Sequence, residues 1–238
     1  MRILVACECS GTVRDAFLVR GHDAWSCDLV DSDKPGPHIR GDVRKVVQRP
    51  WDLMIAHPPC QFLSVSGMHW TTRGLRPRHL TDDALALVYD LMQAPIPRIC
   101  VENPIGIIST RIRKPDQIVQ PWMFGHPDSK ATCLWLKGLP LLIPTDILPK
   151  PPGGRWSNQT PSGQNKLGPS PKRAKIRATT YPGIANAMAD QWTMAGEREG
   201  EIEDTHPDAR DVRAAARWRR VGNIDQKARV SSLFTRPW

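Results

Sequence analysis

Two short stretches place reactive side chains where a strand must stop. In "DLMIAHPPCQFLSVSG", residues 52–67, Leu53 to Ala56 form an apolar run that ends at His57. Pro58 and Pro59 have no N–H for a sheet ladder, and proline pushes the residue before it out of the helical region. Cys60 follows on this stiff turn, with Gln61, Ser64 and Ser66 close by. The C-terminal ends of strands are where open α/β sheets bind ligands, and covalent catalysis needs a nucleophile held rigidly at a pocket mouth. In "CVENP", residues 100–104, Glu102 closes a second strand-like run before Asn103-Pro104. A carboxylate beside an apolar wall is expected to have a raised pKa and to give or share a proton. Alone, Glu102 reads as a solvated loop acid. Beside a cysteine at the end of another strand of the same sheet, it becomes a candidate general acid.

A third stretch, "ACECSGT", runs a strand into a small-residue turn and a helix, the shape of a nucleotide or cofactor cradle. Only Gly11 remains of the glycines such a turn usually carries, so it fails as a dinucleotide fingerprint. Asp28, at the end of the next strand, stands where a ribose-binding acid would. "GDV", residues 41–43, adds Asp42 at the end of a short third segment, where an adenine amino group could be read.

The elements that must position these groups follow from periodicity. "RILVAC", "HDAWSCD", "WDLMIAHP", "RICVENP" and "KATCLWL" read as strands. "SGTVRDAFLVRG" has Val13, Ala16, Phe17 and Arg20 at helical spacing, with Gly21 as its stop. "TDDALALVYDLMQAP" is a helix that Thr81 can cap, with an apolar stripe from Ala84 to Met92 before Pro95. "PGIANAMADQWTMAG" is a returning amphipathic helix. Alternating strands and helices at these spacings predict a mostly parallel sheet with helices on both faces.

The chain has 238 residues and a formal net charge of +9. It is long enough for one domain with a substantial core, here expected over residues 1–196. No run of eighteen apolar residues predicts a membrane span. The first strand starts too early, and its apolar run is too short, for a signal peptide. Six scattered cysteines without metal-ligand spacing predict free thiols in a reducing cytosol and no metal centre. Between Asp146 and Asp190 no acidic residue occurs, yet Lys150, Arg155, Lys166, Lys172, Arg173, Lys175 and Arg177 do. This irregular, proline-rich arm, residues 139–177, could be a solvated loop; its one-sidedness favours nucleic-acid contact. In residues 197–238 eight acids and nine bases nearly cancel. That tail reads as loosely ordered, with a helix over Asp208 to Arg220.

These motifs, in this order, resemble the cytosine-5 DNA methyltransferases, and in particular their short phage-type members. "PPCQFLSVSG" is similar to the family's nucleophile motif, and "VENPIG" looks like the motif that carries its catalytic glutamate. The resemblance covers most of residues 1–194. It implies a Rossmann-like class I methyltransferase fold, its parallel sheet carrying one antiparallel edge strand, with a reduced target-recognition region. It also implies S-adenosylmethionine as cofactor, double-stranded DNA as partner and base flipping. Cys60 would add to C6 of cytosine, Glu102 would hold the base, and Arg177 is the best candidate for an assisting arginine. Cys7, Glu8, Ser10, Gly11, Asp28, Asp42, Val43, Pro58 and Asn186 would hold the cofactor. Gln61, Ser64, Trp70, Arg73, Arg76, Arg78, Lys172, Arg173 and Lys175 would face DNA, the loop "MHWTTRGLRPRHL" closing over it. A restriction-modification setting, in a bacterial or phage-infected cytosol, goes with that family.

The chain departs from the family's pattern at His57, which replaces a glycine and could cap the strand or act near the base. It departs again at Cys7-Glu8-Cys9, in place of a glycine-rich loop. Other readings remain open. An exocyclic-amino methyltransferase would place an aromatic residue where Cys60 stands. A silent DNA-binding homologue would fit the weak cofactor loop. An enzyme with the same thiol chemistry would use another one-carbon donor.

Overall fold

The computed structural model describes residues 1–200 with the exception of 164, 169, 171 and 172. The helix expected over Asp208 to Arg220 lies outside the described residues, as does Lys172. In chain order the elements are β1 (Arg2–Ala6), α1 (Thr12–Leu18), β2 (Asp23–Asp28), β3 (His38–Arg40), β4 (Leu53–Ala56), α2 (Val65–Thr72), α3 (His79–Met92), β5 (Arg98–Pro104), α4 (Ile108–Arg111), β6 (Gln117–Val119), β7 (Thr132–Lys137), α5 (Arg173–Ala178) and α6 (Pro182–Gly200). One compact unit spans Met1–Gly196.

The strands form one seven-stranded sheet in the order β3-β2-β1-β4-β5-β7-β6. The pairs from β3 through β5 are parallel, and β7 is antiparallel to both β5 and β6. This is a Rossmann-like, mostly parallel sheet with helices on both faces. The reversed strand is β7, next to the edge, and not the edge strand that the resemblance implied. The edge is β6, a three-residue strand too short for its alternation to be read.

Alternation along the buried strands sends side chains to two cores. Ile3, Val5, Leu53, Ile55 and Leu134 face one side, where α1 contributes Val13 and Phe17 and α6 contributes Ile184, Met188 and Trp192. Leu4, Ala6, Met54, Ala56 and Val101 face the other, where α3 contributes Ala84, Leu85, Val88 and Leu91. Helix α3 begins two residues before Thr81, so Thr81 is not its cap. Its buried hydroxyl instead donates to the Phe62 carbonyl, 3.3 Å away, tying α3 to the segment after Cys60. Helix α6 runs past Gly196, where Glu197, Arg198 and Glu199 are good helix formers.

Candidate active site

The parallel register sets out the site. Ala6 is paired with both Cys27 and Ala56, and Ala56 with Val101. One residue further on, Asp28, Cys7, His57 and Glu102 stand in a row across β2, β1, β4 and β5 at the C-terminal end of the sheet. With strands about 4.8 Å apart, Asp28 and Glu102 lie about 14 Å from each other. The chain winds outward from β1 in one direction and from β4 in the other. Cys7 and His57 therefore flank the switch point at which such sheets open a crevice. A cavity of about 870 Å³ occupies it, lined by all four residues of the row and by Cys60. That volume lies in the range of pockets that bury a drug-sized ligand.

At the β4–β5 end, backbone contacts fix the nucleophile turn. Pro59 precedes a single 3-10 turn, Cys60–Phe62, closed by the Leu63 N–H donating to the Cys60 carbonyl at 3.2 Å and followed by the Ser64 N–H on the same carbonyl at 2.9 Å. The Asn103 side chain donates to the Pro58 carbonyl at 2.8 Å, and the Ile107 N–H donates to the Leu63 carbonyl at 2.8 Å. Ser64 caps α2 by accepting from the Gly67 N–H. Two glycines allow this close approach. A Cβ at Gly67 would lie 2.3 Å from the Gln61 carbonyl oxygen, and one at Gly106 only 2.0 Å from that of Leu63. Arg76 donates to the Gln61 and Gly67 carbonyls, and its guanidinium lies over the Phe62 ring. The two motifs "PPCQFLSVSG" and "VENPIG" are thus halves of one packed unit.

Within it, His57 Nδ1 lies 3.0 Å from Glu102 Oε2, and both side chains are about nine-tenths buried. Burial pushes the Glu102 carboxyl up. The hydrogen bond from His57, the charge of His57 when protonated and the Lys130 ammonium outweigh it, holding the carboxyl below its ordinary range. The raised pKa expected for Glu102 is therefore corrected: burial is present, and the His57 hydrogen bond, with Lys130 assisting, outweighs it. Burial pushes the Cys60 thiol up, as does Glu102; Lys130 and Arg177 oppose them.

The β1–β2 end is built differently. Cys7 adopts a left-handed backbone, φ 57°, which turns the chain off β1 without a glycine. Burial first, then Asp28, pushes its thiol up to about 12. The Glu8 carboxylate, 5% exposed, accepts from the N–H groups of Val13 and Arg14 and from the Ser10 hydroxyl. It takes the unpaired N–H groups of α1 that a glycine-rich loop would leave open. Gly11 is the left-handed cap of α1 and does not line the cavity. Ser10, Asp28, Asp42, Val43 and Pro58 do line it, together with the exposed apolar side chains of Leu29 and Val30. Asn186 is absent from the lining; its side-chain oxygen accepts from Arg20 on the outer side of α1 and α6.

Of the residues expected to face DNA, Gln61, Ser64, Trp70, Arg76 and Lys175 line the cavity, as does Arg177; Arg73, Arg78 and Arg173 do not. Helix α2 takes up the first half of the expected "MHWTTRGLRPRHL" loop. The basic arm is tied down rather than free: the Leu148 N–H donates to the Trp122 carbonyl, Asn158 bonds both ways with Ser129, and Trp156 stacks on Trp122 at 5.8 Å. Its last part is helical, as α5. Lys130, Leu29, Val30 and Asn103 also reach the cavity. Lys130 does so because β7 is reversed, which brings the residues before it to the C-terminal end of the sheet. No sequence signal gave that direction.

No family model matches the chain, and no curated protein matches it. Among solved structures, the chain is similar to a prophage-encoded protein from E. coli assigned as a DNA modification methyltransferase. The TM-score is 0.39 and the identity 16%, over 63% of this chain and 52% of that one. It is also similar to the Entamoeba histolytica methyltransferase EhMeth, with TM-score 0.44 and 16% identity over 62% and 57% of the two chains. The chain thus spans little more than half the length of either. Likenesses this distant leave the reading of the site to its own geometry.

Proposed function

We propose that this chain is a DNA methyltransferase that transfers a methyl group from S-adenosylmethionine to C5 of cytosine. The observation that carries this reading is the single packed unit that brings Cys60 and Glu102 to one cavity at the sheet's switch point. A thiol at that place suits addition to an electron-poor ring carbon, and the carboxylate suits the amino edge of a base.

The residues at the β1–β2 end fit the cofactor. Asp28 is free to accept from a ribose hydroxyl with the oxygen that does not hold the Val30 N–H. Asp42 and Val43 suit an adenine edge, and Leu29 and Val30 give a flat ring an apolar shelf. S-adenosylmethionine, when bound, supplies an electrophilic methyl group. Cys60 as thiolate adds to C6 of cytosine, which makes C5 an enamine carbon and a nucleophile. Glu102 accepts from the exocyclic amine, with the His57–Glu102 pair beside the ring as its proton reservoir. Solvent water takes the C5 proton, the C6–S bond breaks and Cys60 leaves as thiolate. A base inside a duplex cannot reach this crevice, so the target must be flipped out. Lys175, Arg177 and Trp70 at the rim suit the phosphates and exposed bases of that opened strand.

The test is product analysis. Purified protein is incubated with unmodified duplex DNA and methyl-deuterated S-adenosylmethionine, and the nucleosides are identified by mass. Labelled 5-methylcytosine, lost in Cys60→Ala while DNA binding persists, is the expected result. Labelled N4-methylcytosine or N6-methyladenine would transfer the reading to the exocyclic-amino class. DNA binding without any labelled base would sink the enzymatic reading.

A further inference from the structure

His57 Nε2 is buried and has no hydrogen-bond partner among the described residues. The other ring nitrogen, Nδ1, is engaged with Glu102 Oε2 at 3.0 Å. A carboxylate at Nδ1 fixes the proton of the neutral ring there and leaves the lone pair on Nε2. An orphaned nitrogen of this kind is costly to bury unless something meets it. His57 itself lines the cavity, as does Cys60 three residues further on.

We propose that His57 and Glu102 form a carboxylate–imidazole dyad that activates Cys60, His57 Nε2 taking the thiol proton. The S–H bond breaks, an Nε2–H bond forms, and the electron pair stays on sulfur as the thiolate. The resulting imidazolium keeps its Nδ1–H on the Glu102 carboxylate, which stays ionised. Orientation of a neutral imidazole by a buried carboxylate is a general way to make a proton acceptor at neutral pH.

The other groups facing this pair do not serve. Lys130 and Arg177 face Cys60 as cations and stabilise a thiolate without accepting a proton. Glu102 is a weakened base, because His57 already holds one oxygen. Cys7, next along the row on β1, is pushed up to about 12 and stays neutral. Cys60 itself is shifted away from thiolate by its burial, so it needs a base. His57 is the one histidine lining the cavity among the described residues.

This inference rests on reading Cys60 as the nucleophile, but its test needs neither DNA nor cofactor. The full chain is alkylated with iodoacetamide from pH 5.5 to 9.5, and the Cys60 peptide is followed by mass spectrometry. The variants are His57→Asn and His57→Gln, whose amides keep a donor for Glu102 and remove the basic ring nitrogen. In the wild type, Cys60 alkylation is expected to be well advanced at neutral pH, below the range in which a free thiol ionises. At pH 7 it should be about tenfold or more faster than in His57→Asn, as general base assistance gives. A wild-type profile with a single inflection above pH 8.5 overturns the proposal, even where both variants fail to fold. Equal rates in wild type and His57→Asn overturn it as well. Wild-type alkylation at pH 7 faster than in His57→Asn, without methyl transfer, would retain the dyad and sink the methyltransferase reading. Methyl transfer with unchanged alkylation in His57→Asn would do the reverse.

Discussion

The two ends of the crevice are held by different means. At the β4–β5 end, backbone runs directly against backbone, with the Asn103 and Arg76 side chains tying its carbonyls. Asn103 holds the Pro58 carbonyl, the segment around Gly106 runs against Leu63 and Ser64, and two glycines let the strands of loop touch. At the β1–β2 end a side chain does that work. Glu8 closes the start of α1, and fully buried Arg14 donates to Ser26, Ser32 and the carbonyl oxygens of Lys34 and Pro35, shaping the segment after Asp28. A backbone clamp leaves side chains free for chemistry and tolerates no extra atom. A side-chain clamp uses up polar groups and leaves only a few, here Asp28 and Asp42, for a ligand.

Gly106→Ala offers the largest break in that comparison. Its new Cβ would fall 2.0 Å from the Leu63 carbonyl oxygen, an atom that cannot rotate away. Backbone must shift, and overpacking of this kind costs about 1–3 kcal/mol or more. The expected outcome is a lower denaturant midpoint, together with loss of the Cys60 reactivity that the turn geometry supports. An unchanged midpoint would mean that the two motifs are not rigidly joined.

Asp28→Asn probes the other end. The substitution keeps the shape and removes the charge that would accept strongly from ribose hydroxyls. Charge-assisted hydrogen bonds are worth about 1.5–3 kcal/mol, so affinity for S-adenosylmethionine should fall about tenfold or more with stability almost unchanged. Titration calorimetry separates the two. Loss of stability at unchanged affinity would assign Asp28 to the β2 end rather than to the ligand.

The contrast also explains what the sequence could disclose. Cys60 and Glu102 were legible because proline-broken strands announce their own ends, and parallel register puts those ends side by side. Asp28 and Asp42 were legible for the same reason. Lys130 was hidden because nothing in "SKATCLWL" tells which way its strand runs. Thr81 was misplaced because helix propensity continues through "RHL", and a buried hydroxyl looks the same as a capping one until its partner is known. The raised pKa expected for Glu102 failed on a neighbour forty-five residues away, which local pattern does not reveal.

The seam between α1 and α6 lies outside both ends and should respond least. Arg20 bridges Asp190 with two nitrogens and also donates to Asn186. Asn186→Ala is therefore expected to change cofactor affinity less than about twofold, since a side chain outside the cavity has no ligand contact to lose. A larger loss would show that α6 reaches the cofactor after all. The Asp190 carboxyl is held below its ordinary range by the hydrogen bond from Arg20, against burial and with the Arg20 charge assisting. Its contribution to stability is thus present above the unfolded carboxyl pKa of about 3.9 and is lost as pH falls through the lower folded value. Asp190 is half exposed, so solvent screening limits that contribution to about 0.5 kcal/mol. Asp190→Asn should lower stability by no more than that at pH 7 and leave it unchanged at a pH below both values. A larger pH-7 loss, read from urea unfolding, would give the seam a structural weight that the two clamped ends were expected to carry.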